Sequence, residues 1–210
     1  MFFRRARRRA DPREAAWSDL AARLELTRLD DDAEQALRAE LAVDTGTVAE
    51  LHVLRRVGMP ELLIFEHVRP NPTRRDAEER RARVLLRSDA GICPVSWRAF
   101  PRSHPLLSSL QASRSGGELV ATADERFDEA IGVVAREPEP ATAVLTTPVR
   151  EALLRLLADD GLPDATATCG EGHLAWRAHR EMEAPFDVLD GVATRLFTLW
   201  AALRAGGRGR

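Results

Sequence analysis

Two alternating segments joined by a Gly-Glu-Gly turn constrain this chain most. In "TATCGEGHLAWRAH", Thr166 to His179, Gly170 and Gly172 flank Glu171 in a three-residue loop that suits a tight β-hairpin. In the second strand Leu174, Trp176 and Ala178 share one face; His173, Ala175, Arg177 and His179 share the other. The first face is apolar and must be withdrawn from water, so a strand of this kind needs a second layer packed against it.

The same signature recurs in "TVAELHVLRRVGMPELLIFEHVRP". Val48, Glu50, His52 and Leu54 alternate with Ala49, Leu51 and Val53, and Gly58-Met59-Pro60 turns the chain into the apolar run Leu62 to Phe65. "NPTRRDAEERR" reads as a charged loop, "ARVLLRS" as the next strand and "GICPVSWRAFPR" as another, with Pro94 and Pro101 marking an edge or strand ends. Gly116-Gly117 turns into "ELVAT", and a further strand spans Ala130 to Ala135.

Helical spacing marks other segments. Asp11 caps and Pro12 opens "DPREAAWSDLAARLEL", in which Trp17, Leu20, Ala21 and Leu24 form a stripe. "DDAEQALRAELA" is a second helix with Leu37 and Leu41 inward, and "HPLLSSLQAS" a short one. In "TTPVREALLRLLADDGLP", Thr147 caps, Pro148 takes the first helical position, and Gly161 and Pro163 stop the helix. From Glu183 to Leu203, Phe186, Leu189, Val192, Ala193, Leu196, Phe197, Trp200 and Leu203 follow the amphipathic i, i+3, i+4, i+7 pattern. The predicted fold is α+β: one domain, 12–205, with an antiparallel sheet of seven or eight strands covered by N-terminal, middle and C-terminal helices. A basic disordered arm, 1–11, precedes it, and a frayed tail, 206–210, follows.

Composition narrows the function classes. All 31 basic residues are Arg, and Lys and Tyr are absent, which reads as GC-rich codon bias rather than nucleic-acid recognition. The net charge is −2, too small for a polyanion-binding field. It is unevenly placed, because the first ten residues hold five Arg and no acid, leaving −7 on the rest. Two cysteines are too few for a disulfide scaffold, and the expected compartment is a reducing bacterial cytoplasm. No secretory leader or membrane span is read from the chain.

Candidate chemistry is sparse. Cys169 and His173 flank the hairpin turn as weak metal candidates, but zinc takes three or four protein ligands, so His52 or His67 would have to join them. Cys93, beside Pro94 in an apolar strand, reads as a small core residue. The acids at Asp30 to Asp32, at Asp124, Glu125, Asp128 and Glu129, and at Glu181, Glu183, Asp187 and Asp190 read as caps and solvated charge. No phosphate-cradling glycine loop, nucleophile elbow or H-E-x-x-H motif is present, no cofactor is implied, and no catalytic residue is assigned.

The arm carries the strongest functional signal. Phe2 and Phe3 followed by Arg4, Arg5, Arg7, Arg8 and Arg9 suit an anionic membrane surface, where each basic residue contributes about 1 kcal/mol. The leading expectation is a noncatalytic interaction or scaffold module with a protein partner or the inner membrane face as its contact. Nonspecific nucleic-acid binding through the same arginines is the first alternative. A metal-dependent enzyme built on Cys169 and His173 is the second.

The order of the pieces also resembles a group of bacterial proteins of unassigned activity, common in actinobacteria and other GC-rich genomes. The resemblance rests on "AAWSDLAARLEL", "LLIFEHV", "RARVLLR" and "FDEAIGVVAREPEPATAVLTTPVREALLRLL", with Phe127, Val133, Leu145, Thr146, Pro148, Leu153 and Leu154 in the matching places. Ile131 stands where the group has a second Phe. The resemblance implies a soluble domain spanning roughly Trp17 to Leu203; many members of the group carry a membrane span just before the Trp-containing helix, where this chain has the Arg-rich arm instead.

Overall fold

The computed structural model describes residues 12–37, 50–70, 78–102, 116–158, 165–170, 172–178 and 186–207. The β-branched and leucine-rich alternating segments become strands of one continuous antiparallel sheet, as their period of two requires. In chain order these are β1 (Thr27–Arg28), β2 (Glu50–Arg56), β3 (Glu61–Pro70), β4 (Glu78–Arg87), β5 (Trp97–Pro101), β6 (Glu118–Val120), β7 (Ile131–Ala135), β8 (Ala165–Cys169) and β9 (His173–Ala178). Their spatial order is β1-β2-β3-β4-β9-β8-β5-β7-β6. The nine strands among the described residues exceed the expected seven or eight; of these, β1 and β6 are edge strands of two and three residues, too short for alternation to show.

The sheet has one deep and one shallow side. Leu54, Leu62, Ile64, Val84, Leu86, Trp97, Val133, Ala167, Leu174 and Trp176 are all buried on one face, under the helices. The alternate positions Val53, Leu63, Phe65, Leu85 and Ala175 form a small separate cluster on the other face, closed by Leu37. The hairpin read from "GEG" is β8–β9, with Ala167 opposite Trp176 and Cys169 opposite Leu174. Gly132 of β7 lies directly under the Phe100 ring, where a Cβ would collide with the ring carbons, so only glycine fits this crossing.

Six helical segments accompany the strands among the described residues: α1 (Pro12–Leu24), α2 (31–37), α3 (Glu125–Ala130), α4 (Pro138–Val144), α5 (Thr147–Leu157) and α6 (Phe186–Gly207). The apolar stripe of α6 buries Leu189, Val192, Ala193, Leu196, Leu199 and Leu203 against α1, α5, β4 and β9. At about 25 cal/mol per Å² of apolar surface, each such leucine contributes roughly 1.5–3 kcal/mol of burial. Trp17 and Leu20 turn α1 onto the same core. Arg13 fastens α1 to β3 by a two-point pair with Glu66, whose side chain is 1% exposed; Arg13 Nε donates to Oε2 at 3.2 Å.

Several segments differ from expectation. The charged segment after Pro70 is partly strand: Glu78 and Glu79 already belong to β4, with Arg69 at the register position opposite Glu79. Cys93 lies outside any strand, because Gly91 adopts a positive φ of 71° and β5 starts only at Trp97. The residues before β7 form α3, whose cap is Asp124: its carboxylate accepts from the Phe127 N–H at 3.2 Å, and Phe127 is fully buried. "PEPATAV" forms the short helix α4, opened by a proline in its first turn. Thr146 rather than Thr147 occupies the cap position of α5, so Pro148 falls second. The last helix runs to Gly207, into the expected tail. Asp11, the arm, residues 38–42, "HPLLSSLQAS", His179 and the final three residues lie outside the described residues.

Candidate functional site

Cys169 and His173 flank the β8–β9 turn as expected, but they serve opposite faces of the sheet. Cys169 is 3% exposed and belongs to the helix-covered core. His173 is exposed on the other face, with its ring against Gly170. A shared ion would need sulfur and imidazole on one side. His52 and His67, named as completing ligands, stand in β2 and β3, with β4 between them and β9. Among the described residues, no three His, Cys, Asp or Glu side chains gather as metal ligands.

The neighbour of Cys169 is instead Cys93. Pairing of β5 with β8 sets Trp97 opposite Cys169, and the turn leading into β5 carries Cys93 alongside. Both cysteines are free and buried, and each is the largest influence on the other's titration. The hydrogen bond from Cys169 brings Cys93 down to about 7, against the opposing effect of burial. Cys169, which keeps its proton, is raised well above the ordinary thiol range by that same bond and by burial. Its sulfur also lies 3.8 Å from the Gly170 carbonyl. Nothing local in the sequence signals this pairing, since it arises from strand order alone.

A second feature lies at the β2–β3 hairpin tip. An open cleft of about 950 Å³ runs between this tip and the turn after β4. Val57 and Met59 form its lip and are 78% and 74% exposed. On the wall, the Glu61 carboxylate bridges two guanidiniums: Arg55 Nε donates to Oε1, and Arg87 Nε donates to Oε2 at 2.6 Å. Two Arg thus share one Glu, and the exposed Asp89 at the rim leaves the cleft near neutral. The Ser88 N–H donates to the Gly172 carbonyl at 2.9 Å, tying the turn after β4 to the β8–β9 turn. The buried Ser88 hydroxyl has no hydrogen-bond partner among the described residues. Fixed, mutually neutralised charges beside an apolar lip suit surface docking. The sequence identified this turn from Gly58 and Pro60; whether Val57 and Met59 would be covered depended on the rest of the fold.

No family model matches the sequence, and no curated protein matches it. The chain is similar in structure to the mycobacterial trehalose monomycolate transport factor A, TtfA, seen in a crystal structure. The TM-score is 0.53 with 10% sequence identity, covering 90% of this chain and 93% of that one. The likeness is one of fold: an α+β domain with a large antiparallel sheet. Its mycobacterial source agrees with the bacterial character of the sequence resemblance. No helix among the described residues is long and apolar enough to cross a membrane.

Proposed function

We propose that this domain is a noncatalytic interaction module that sits at an anionic membrane surface, held by its arginine arm and the β2–β3 hairpin tip. The observation that carries the reading is the pair Val57 and Met59, held out from the fold at 78% and 74% exposure beside the Glu61-bridged arginines. Large apolar side chains at a loop tip enter the headgroup region while neighbouring guanidiniums stay at its level. The arm adds five positive charges with Phe2 and Phe3. The rest of the chain carries −7, so an anionic surface would attract the basic arm and repel the acidic remainder. TtfA, which has a similar fold, bears the name of a transport factor, and a noncatalytic module is consistent with that name.

Vesicle co-sedimentation tests this. The full chain is expected to pellet with vesicles rich in anionic phospholipid and not with zwitterionic ones. Binding should fall as salt rises and weaken on removal of residues 1–10. Equal recovery with both lipids, or no effect of the deletion, contradicts the proposal. Tight, salt-sensitive retention on DNA without vesicle binding would favour nucleic acid as the arm's partner.

A further inference from the structure

We propose that the hairpin-tip cleft is a headgroup site for a hydroxyl-bearing phosphodiester, with Arg55 on the phosphate and Asp89 on the hydroxyls. The inference rests on the membrane reading of this tip and names the lipid chemistry the tip selects.

The cleft has two unlike walls. On the hairpin side, Arg55 engages Glu61 through Nε alone. Its terminal nitrogens have no partner among the described residues, and its side chain is 40% exposed. Arg87 donates to the other Glu61 oxygen, so the carboxylate is held and holds Arg55 in turn. Two guanidiniums around one carboxylate leave this wall with a net charge of +1. On the facing side, the turn Ser88 to Gly91 is closed by the Gly91 N–H, which donates to the Ser88 carbonyl at 3.2 Å. This turn presents the exposed Asp89. Ser88 lines the cleft while only 7% exposed, and its hydroxyl has no partner among the described residues. A buried hydroxyl left alone is a cost that a ligand oxygen would relieve.

These features discriminate among anions. A guanidinium takes phosphate oxygens through paired N–H bonds. A phosphate monoester would bring a second negative charge beside Asp89, and a serine headgroup would bring a carboxylate. A phosphodiester carries a single charge for Arg55, and glycerol hydroxyls can donate to Asp89 and bond to the Ser88 hydroxyl. The hydrocarbon on the other ester oxygen then leaves past Val57 and Met59, the apolar lip of the opening. A cleft of about 950 Å³ leaves room for one such headgroup with its water. A soluble glycerophosphodiester shares this chemistry, so experiment must separate the two sources.

Co-sedimentation of the full chain with vesicles of equal anionic fraction, one series carrying phosphatidylglycerol and the other phosphatidylserine, reads the selection. Binding to phosphatidylglycerol is expected to be about tenfold tighter. Arg55→Lys keeps the charge and loses the paired geometry, so it should pellet with both lipids and show no preference. Asp89→Asn is the sharper variant, because removing an acid strengthens any purely coulombic attraction. It should lose the preference while its binding to phosphatidylserine holds or rises. A thermal melt of each variant checks that the fold is retained. Soluble glycerophosphoglycerol should displace the chain from phosphatidylglycerol only when in large excess over the lipid. Displacement at matched concentration would assign the site to the soluble diester and overturn the lipid source. Equal binding of the unaltered chain to both lipids, or a preference that survives both substitutions, overturns the headgroup site and leaves the membrane reading standing. Absence of binding to either lipid overturns both.

Discussion

The helix-covered face of the sheet and the tip of the β2–β3 hairpin use the same kind of side chain in opposite ways. Trp176, Leu174 and Leu86 are fully withdrawn beneath α6, while Val57 and Met59 protrude into solvent on a turn fastened by Pro60, which is itself buried. An apolar side chain that folding does not cover gains nothing from folding, and its transfer free energy is available to a contact. The shallow face lies between these extremes, with a six-residue cluster closed by Leu37 and, at its margin, Leu29.

Substitutions should rank accordingly. Trp176→Ala, at the centre of the deep core, should cost about 3–5 kcal/mol in denaturant unfolding. Leu63→Ala in the shallow cluster should cost about 2–3 kcal/mol, because thinner cover lets the site relax. Equal costs would mean the two faces are equally packed.

A smaller effect falls on the α3 cap, beside β7 at the other end of the sheet from the hairpin tip. The Phe127 N–H and then Arg150 hold the Asp124 carboxyl below its ordinary value of 3.8, against an opposing effect of desolvation. A depressed folded value means the cap stabilises fully above 3.8 and is lost as pH falls through the lower folded value. Asp124→Ala should therefore lower the thermal midpoint at neutral pH, and the gap from wild type should close in acid. A gap constant with pH would assign the effect to packing.

What was legible in the sequence follows from how local each signal is. The β8–β9 hairpin, the Leu-rich α5 and the amphipathic α6 declare themselves within a few turns or strand repeats, and the structure carries all three. The separation of Leu174 and Trp176 from His173 onto opposite faces is likewise a local consequence of period two, and it places Cys169 and His173 apart. The short helices α3 and α4 were hidden because "RFDEA" and "PEPATAV" hold too few residues for a 3.6-residue period to emerge. The mutual influence of Cys93 and Cys169 depends on β5 pairing with β8, a non-local choice that neither cysteine's neighbours encode. The exposure of Val57 and Met59 is equally non-local, since alternation along a strand says nothing about whether a turn will be covered.

The central claim is that the apolar residues of the hairpin tip serve contact and not stability. The double variant Val57→Asp with Met59→Asp, sedimented with anionic vesicles beside a thermal melt, tests it most directly. The account predicts a midpoint within about 2 °C of wild type and at least a tenfold loss of vesicle binding. A variant that binds vesicles as the wild type does, or one that melts as early as Trp176→Ala, would contradict it.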